Sequence, residues 1–275
     1  MITTATPKLS QTDYSIGEIM AIAIARQMEA HDGEWIAVGA YSQLPMASVK
    51  LARMTCAPNI WWLSGGSGAI NGTGKVTEST TDYRVIRGAE YVMSMEDVVD
   101  IEMWRYQHEN PKMTAIVGGI QIDSRGSSNM VCVGDYHKPK VRGVGTVGLC
   151  FGVSFNSLYF YTMHHNRKIF VETVDFVSSP GFTEERKKYV PAKATGPRAV
   201  FTPLGVFDFD EGSGRMRIKS LHPGVTLEEV RDNTGFELII PDTLRETQPP
   251  TQEELDLLRN VVDPDAILRG LRITR

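Results

Sequence analysis

The sequence predicts an α/β protein with an open, mainly parallel β-sheet flanked by helices. Short apolar runs, such as 35–40 and 60–63, alternate with segments of helical spacing, such as 46–55. This alternation is typical of βαβ units, whose strands lie parallel in one sheet. The run 60–63 also ends in a glycine-rich loop, and such loops follow the carboxyl ends of strands where α/β proteins bind ligands.

The amino-terminal elements follow from caps and periodicity. Ser15 and Glu18 form a capping-box pattern that opens an amphipathic helix reaching Met28. A strand at 35–40, a helix at 46–55 and a strand at 60–63 come next. The segment 64–74 holds five glycines and little apolar mass, so we predict a mobile loop there.

The middle of the chain predicts a helix over 93–106, where apolar residues alternate with acids, and a buried strand over 113–117. A turn at 124–126 separates 118–123 from a strand at 129–133. Strands at 158–161 and 169–171 flank a polar turn, 164–168, whose histidines His164 and His165 we expect to be solvated.

The carboxyl-terminal part predicts a charged, proline-rich surface excursion at 182–197 and a hairpin formed by 205–210 and 215–220. Capping boxes at Thr226 and Thr251 open two further helices. No composition shift marks a domain boundary, so the 275 residues are predicted to form one domain, 1–275.

Composition excludes several classes of protein. The chain is 41% hydrophobic and 23% charged, with a net charge of −4 and no basic stripe, so nucleic acid is not an expected partner. No apolar run approaches the roughly 20 residues of a membrane helix, and 1–13 lacks a signal sequence. We therefore expect a cytoplasmic protein that does not enter a membrane.

The three cysteines, Cys56, Cys132 and Cys150, are widely spaced and form no CxxC pair. The spacing predicts neither a metal site nor a disulfide framework. Apolar neighbours predict that all three thiols are buried.

An α/β enzyme usually places its catalytic groups beyond a strand end such as that of 60–63. Leu63 and Ser64 stand there, and neither is a carboxylate. A serine nucleophile needs an adjacent base, and no histidine is near Ser64 in sequence. Glu78, beyond the loop, is the carboxylate that would have to fold back, and the default interpretation of Leu63 is a residue of the sheet core.

Two further glycines, Gly118 and Gly119, follow the buried strand 113–117. They permit either close approach of the backbone to a ligand or partner, or a tight turn with positive φ. Gln121 either hydrogen-bonds a substrate or caps the turn.

Several motifs together resemble the β-subunit of family I CoA-transferases, typified by glutaconate CoA-transferase. The similarity extends over nearly the whole chain. Its motifs are 44–48 (LPMAS), 118–123 (GGIQID), 134–140 (GDYHKPK), 171–181 (VETVDFVSSPG) and 204–209 (LGVFDF).

The carboxyl-terminal motifs also resemble the β-subunit of steroid ring-opening acyl-CoA hydrolases, which share that fold. These motifs are 220–226 (SLHPGVT), 230–232 (VRD), 250–255 (PTQEEL) and 262–264 (VDP). The resemblance to the transferases implies a nucleophilic glutamate in the β-chain at the end of the strand 60–63. In the ring-opening hydrolases that glutamate is absent from the β-chain, and the essential acid belongs to the α-subunit.

The resemblance implies a CoA-transferase fold and a site whose catalytic carboxylate is missing from this chain, since Leu63 aligns with the family nucleophile. It implies that the loop 143–148 supplies backbone amides to a thioester oxyanion. Val147 departs from the family's glycine. The basic turn 137–142 either meets CoA phosphates or a substrate carboxylate, or is solvated. The predicted substrate-binding residues are Ser64, Gly65, Gly118, Gly119, Gln121, Arg142, Gly143, Gly145, Thr146, Val147 and Gly148.

The resemblance further implies a homologous α-subunit partner in an αβ or α2β2 complex, and a CoA thioester as substrate with no bound cofactor. Three functions stay open: a subunit of a ring-opening CoA-thioester hydrolase, a subunit of a CoA-transferase, and a non-catalytic structural subunit.

Overall fold

The computed structural model describes residues 13–107, 112–151, 157–189 and 196–274. The helices of these ranges are α1 (Ile16–Gln27), α2 (Gln43–Met54), α3 (Tyr83–Arg87), α4 (Met95–Gln107), α5 (Glu184–Tyr189), α6 (Leu227–Asn233), α7 (Gln252–Leu257) and α8 (Ile267–Gly270). Short 3₁₀ segments lie at Met28–His31 and Val147–Phe151, and a π-helical turn, Leu258–Val262, continues α7.

The strands of the main sheet are β1 (Trp35–Val38), β2 (Trp61–Ser64), β3 (Ala69–Ile70), β4 (Tyr91–Val92), β5 (Met113–Val117), β10 (Ser157–Tyr161), β12 (Pro197–Thr202), β13 (Gly205–Phe209) and β14 (Met216–Leu221). Smaller sheets are formed by β6 (Gln121–Asp123), β7 (Ser128–Asn129) and β11 (Phe170–Val171), and by β8 (Cys132–Val133) and β9 (Val141–Arg142).

The main sheet runs in the order β14-β13-β12-β10-β5-β1-β2-β3-β4. Its centre, from β12 to β2, is parallel, and the strands at both sides are antiparallel. The predicted α/β class with a mainly parallel sheet is confirmed. Because β1 has β2 on one side and β5 on the other, the chain reverses its direction of travel across the sheet at β1.

Two apolar layers cover the sheet because successive strand residues face opposite sides. Trp62 belongs to the buried cluster formed with α1 and α2, whereas its neighbour Leu63 belongs to the cluster on the other face. The helix α1 begins as predicted: Ser15 Oγ accepts a hydrogen bond from Glu18 N, and Glu18 Oε2 accepts one from Ser15 N. The predicted hairpin is also confirmed, as β13 and β14.

The predicted mobile loop at 64–74 is wrong. Its middle forms β3, which pairs with β2 and β4, and Ile70 is 4% exposed. Asn71 Oδ1 accepts a hydrogen bond from Trp62 N at 3.0 Å. The glycines of this segment therefore permit close packing, since a side chain on Gly72 would overlap Val85.

The predicted strand at 129–133 is interrupted. Asn129 Oδ1 accepts hydrogen bonds from Val131 N and Cys132 N, so this side chain competes with a strand ladder and separates β7 from β8. At Thr226 only half of the predicted capping box forms, with Glu229 N donating to the hydroxyl, whereas the box at Thr251 is complete.

Two expectations about solvent exposure are wrong, those for His165 and for the cysteines. His165 is 1% exposed, because its ring stacks on Phe170 at 4.0 Å between centroids. Cys150 is exposed rather than buried, and Cys56 is half-buried. In the predicted excursion 182–197, the charged residues Glu184, Glu185, Lys187 and Lys188 are exposed as expected. Arg186 is the exception among these charged residues, since it is buried and donates to the Pro180 carbonyl. Residues 190–195 of that prediction lie outside the described ranges.

Within the described ranges, none of the helices combines the length and apolar character that crossing a bilayer requires.

Candidate functional site

The crevice beyond the carboxyl ends of β1, β2 and β5 is where this sheet topology places a ligand. Parallel register brings Val38 of β1 beside Ser64 of β2 and Ile116 of β5, so the three strands end together. Each of the three strands is followed directly by a glycine: Gly39 after β1, Gly65 after β2 and Gly118 after β5. Four of the predicted site residues, Ser64, Gly65, Gly118 and Gly119, therefore lie along this edge.

Leu63 does not face the crevice. Its side chain is fully buried and shares a cluster with Ile70 and Met93 on one face of the sheet. A side chain buried in hydrocarbon offers neither an oxygen nor access to a ligand. Leu63 is thus part of the sheet core, as its default interpretation predicts.

Ser64 is also fully buried, and its hydroxyl is engaged on both sides. Ser64 Oγ donates to the Thr80 carbonyl at 3.1 Å and accepts from Ser67 Oγ at 2.8 Å. Among the described residues no imidazole or carboxylate contacts this hydroxyl, so it has no base to activate it. Ser64 therefore supports the loop Gly65–Gly66 rather than presenting a nucleophile.

The segment 77–81 folds back onto this edge. The sequence raised this return for Glu78 but gave the hydroxyl residues beside it no role. Thr80 Oγ1 donates to the Gly39 carbonyl at 3.0 Å, and Ser79 Oγ contacts Thr81 Oγ1 at 2.7 Å. Together with the residues at the strand ends they form a hydroxyl cluster, defined as Ser42, Ser64, Ser67, Ser79, Thr80 and Thr81. Hydroxyl groups therefore occupy this edge of the sheet. The run of hydroxyl residues in 77–81 was the available signal.

Glu78 lies within that folded-back segment, and its side chain is exposed. Its carbonyl accepts a hydrogen bond from Gln43 Nε2 at 2.8 Å, which fixes the backbone at this point. Glu78 is thus a carboxylate of this chain on the border of the crevice.

Tyr41, directly beyond β1, is a second residue that the sequence did not single out. Its φ is +50°, in the left-handed region that non-glycine residues seldom occupy. The ring is 76% exposed, while the backbone N donates to Ser79 Oγ at 3.5 Å.

Gly118 and Gly119 do not have positive φ, so the tight-turn explanation is wrong for both. A side chain on Gly118 would make ordinary contact with the Tyr161 ring, at 3.8 Å. The alternative, close approach of a ligand or partner, stays a prediction.

Gln121 is 4% exposed and its amide is used within the chain. Its Nε2 donates to Asp175 Oδ2 at 3.0 Å, and its Oε1 accepts from Asn129 Nδ2 at 2.7 Å and from Asp175 N at 3.0 Å. These bonds join β6 and β7 to the segment after β11. In this structure Gln121 is a structural residue, and its contact with a substrate stays a prediction.

Two backbone amides of the glycine-rich loop 143–148 are not available as oxyanion donors. Gly143 N donates to the Val131 carbonyl at 2.8 Å and Gly145 N to the Met130 carbonyl at 3.2 Å, so both amides are already engaged. Among the described residues, the amides of Thr146, Val147 and Gly148 make no such bond. A side chain on Gly143 would overlap the Met130 carbonyl, so glycine is required there.

Val147 is strained. Its φ is +53° and its side chain is 66% exposed. A β-branched residue in the left-handed region is an outlier that costs about 1–3 kcal/mol and is retained where the surroundings fix it. Glycine would adopt the same backbone without this cost.

Arg142 and the basic turn lie on the surface beside this loop. Arg142 Nη2 donates to the Tyr136 carbonyl at 2.7 Å, and the guanidinium stacks over the Tyr136 ring at 5.2 Å. His137, Lys138 and Lys140 are exposed. The turn retains positive charge facing solvent, and its contact with CoA stays a prediction.

A cavity of about 950 Å³ lies at the opposite, amino-terminal edge of the sheet. At its base His31 contacts Glu34 Oε2 at 2.8 Å and the Tyr159 hydroxyl at 2.9 Å. Burial acts to raise the pKa of Glu34, but the bonds from His31 and Thr114 outweigh it and the pKa is lowered. This closed network is structural. In the described part of the chain no cluster of three or more His, Cys, Asp or Glu side chains is arranged to hold a metal ion.

Comparison with known proteins gives one family match, to the coenzyme A transferase family model over residues 18–233. The B subunit of glutaconate CoA-transferase from Acidaminococcus fermentans is 29% identical over 92% of this chain and 94% of its own. The crystal structure of that transferase matches 94% of this chain and 98% of its own with a TM-score of 0.85 and 28% identity.

Two other relatives are named as subunits of a CoA-transferase and of a hydrolase. The B subunit of 3-oxoadipate CoA-transferase from Pseudomonas knackmussii is 31% identical over 94% of this chain and 96% of its own. The IpdB subunit of the cholesterol ring-cleaving hydrolase from Rhodococcus jostii is 29% identical over 93% of this chain and 95% of its own. Similarity at this level does not separate transfer from hydrolysis.

Proposed function

The chain belongs to the coenzyme A transferase family, and on that premise we propose that it is the β-subunit of a hydrolase that opens a carbon–carbon bond in a ring-bearing CoA thioester. In this proposal the whole chain is one domain, its substrate is the CoA thioester, and a homologous α-subunit completes the site in an αβ or α2β2 complex. The relatives are themselves named as subunits of larger enzymes, which supports the need for a partner.

The observation that carries the proposal is the chemistry at the end of β2. Leu63 is buried in the sheet core, and Ser64 is buried and hydrogen-bonded to other hydroxyl and carbonyl groups. Covalent capture of an acyl group by a carboxylate cannot occur at either residue. Direct attack by water needs no such group on this chain, but it needs a general base from elsewhere.

In the proposed reaction a glutamate of the partner removes a proton from water. The water oxygen bonds to a ring carbonyl carbon, the adjacent carbon–carbon bond breaks, and the carbon that leaves with the electron pair is then protonated. This chain supplies a wall of the crevice. The amides of Thr146, Val147 and Gly148 face the negative charge that develops on the carbonyl oxygen.

Turnover without an acceptor tests this proposal. The purified complex of both subunits is supplied with a cyclic, β-diketone-like acyl-CoA and no free carboxylic acid, and the ring-opened CoA product is measured by mass spectrometry. Hydrolysis predicts one oxygen from ¹⁸O-labelled water in the product. A strict requirement for a carboxylate acceptor would contradict it.

The alternative is a CoA-transferase β-subunit, and the specific observation in its favour is Glu78, an exposed carboxylate on a segment that folds onto the crevice. The transferase names among the relatives also support it. It predicts exchange of labelled acid into acyl-CoA, which the hydrolase does not perform. A non-catalytic structural subunit is the third possibility, supported by the engaged amides of Gly143 and Gly145.

A further inference from the structure

The turn that follows β1 holds Tyr41 in a strained backbone. With φ at +50°, a bulky side chain sits in a region that glycine enters freely and other residues avoid. The neighbours fix this conformation: Tyr41 N donates to Ser79 Oγ, Thr80 Oγ1 donates to the Gly39 carbonyl, and Ser42 Oγ donates to the Ala40 carbonyl.

Contacts of the Tyr41 side chain with the described residues of this chain do not offset that strain. Its ring is 76% exposed, and its hydroxyl makes no hydrogen bond to any residue in the described ranges. Strained residues whose surroundings hold them in place concentrate at ligand-binding positions. Contact between the ring and a group outside this chain would account for the strain at Tyr41.

The location of Tyr41 favours a ligand of the crevice. Tyr41 follows the strand at which the sheet order reverses, which is where open α/β sheets bind ligands. Its neighbour Ala40 lies against Gly66, since a side chain on Gly66 would come 3.1 Å from the Ala40 methyl. The turn after β1 and the loop after β2 thus form adjoining walls.

The charges around Tyr41 indicate which part of a thioester would lie there. Glu78, beside Ser79, carries a negative charge that disfavours the phosphates of CoA. Arg84, which interacts electrostatically with Glu78, is itself paired with Asp82 through bonds of 2.9 and 2.8 Å. An uncharged group is therefore favoured, and the flat face of a tyrosine packs well against an apolar ring.

We propose that Tyr41 is a specificity-determining residue that packs against the apolar, ring-bearing acyl group of the substrate. This inference rests on the proposed action on acyl-CoA. It assigns the acyl end of the thioester to the walls formed by the turns after β1 and β2, and leaves the CoA end to other parts of the complex.

The test uses the complete complex of both subunits with Tyr41→Gly and Tyr41→Asn, since glycine and asparagine both tolerate the left-handed backbone. Tyr83→Ala removes another exposed tyrosine, 70% exposed, from a helix with ordinary backbone and serves as the control. Measured are kcat and KM for a ring-bearing acyl-CoA and for a short linear acyl-CoA, and the thermal midpoint.

Both Tyr41 variants should lower kcat/KM for the ring-bearing thioester by about tenfold or more, largely through KM, with less than about a threefold effect on the linear one. A loss of about 1.4 kcal/mol corresponds to each factor of ten. The thermal midpoint should not fall, and for Tyr41→Gly it should rise by about 2 °C as strain is released. The control should change neither specificity constant.

Three results would overturn the inference: equal losses for both thioesters, unchanged constants for both, or weaker association with the α-subunit, which would make Tyr41 a subunit contact. Failure of the wild-type complex to act on any acyl-CoA would instead refute the proposed function. That outcome is distinguishable because it does not depend on Tyr41.

Discussion

A lysine buried beneath the glycine-rich segment should make the stability of this chain depend on pH. Lys50 lies on α2 and is 8% exposed. Its ammonium donates to the carbonyls of Gly72 and Gly74, at 2.5 and 3.0 Å, and lies 5.1 Å from the centre of the Trp62 ring. Burial, followed by the positive charge of Arg53, lowers its pKa from 10.5 to about 8.

The sign and size of the effect follow from the two pKa values. Below about pH 8 both folded and unfolded chains hold the proton, and between about 8 and 10.5 the unfolded chain holds a proton that the folded chain has released. The free energy of unfolding therefore rises with pH through this window. At about 1.4 kcal/mol per pKa unit, the rise is roughly 3 kcal/mol.

Urea unfolding of wild type and Lys50→Met between pH 7 and 10.5 measures this contribution. The difference, wild type minus variant, should increase by roughly 3 kcal/mol over the range, because groups that titrate equally in both proteins cancel. Lys50→Arg retains a cation that does not titrate here and should also lose the rise. A difference that stays constant within about 1 kcal/mol would refute the reasoning.

Three further predictions concern other parts of the chain. Burial acts to raise the pKa of Glu18, but bonds from Arg259 and Ser15 lower it overall. The Glu18 carboxylate therefore stabilises the fold fully at pH values above its ordinary pKa, and this stabilisation is lost as the pH falls through its pKa in the folded chain. Glu18→Gln should lower the free energy of unfolding by about 3 kcal/mol at pH 7, measured by urea unfolding, and a loss below about 1 kcal/mol would contradict this. Gly145→Ala forces alanine to φ +98° and should lower kcat of the complex about tenfold or more. A side chain on Gly148 meets open space, so Gly148→Ala should change kcat less than about threefold through sterics alone. Equal effects of the two variants would exclude loop geometry as the cause. Glu78→Gln should leave kcat within about threefold if the catalytic carboxylate belongs to the partner, while a loss of about a hundredfold or more would make Glu78 a catalytic group of this chain.

The sheet was predictable because its evidence is local. The strand over 113–117 and the hairpin of β13 and β14 follow from runs of apolar residues bounded by turns, and the helix α1 follows from its capping box. The absence of a carboxylate at Leu63 and Ser64 could likewise be recognised from the sequence alone, because it depends on residue identity and on one strand end.

The hydroxyl cluster was not predictable in the same way. Ser64 meets Thr80 across 16 residues, and Thr80 meets Gly39 across 41, so the contacts exist only after the chain returns to the sheet. The burial of His165 has the same origin. Both its ring nitrogens contact threonines distant in sequence, Thr202 and Thr234, and no local pattern encodes those partners.

Backbone strain could not be predicted from the sequence either. The departure from glycine at Val147 could be noticed, but its φ of +53° is a property of the folded loop, as is that of Tyr41. These positions contradict local preference, and such contradictions are most frequent where a protein contacts a ligand or partner.

Chemical trapping during turnover shows whether this chain ever carries the acyl group covalently. The complex is mixed with a ring-bearing acyl-CoA, treated with hydroxylamine or borohydride while reacting, and every carboxylate-bearing peptide of this chain is analysed by mass spectrometry. We expect no hydroxamate and no reduced side chain on this chain, because its crevice presents hydroxyls and buried leucine where a nucleophilic carboxylate would act. A modified acid, at Glu78 or anywhere else in the chain, would contradict this expectation.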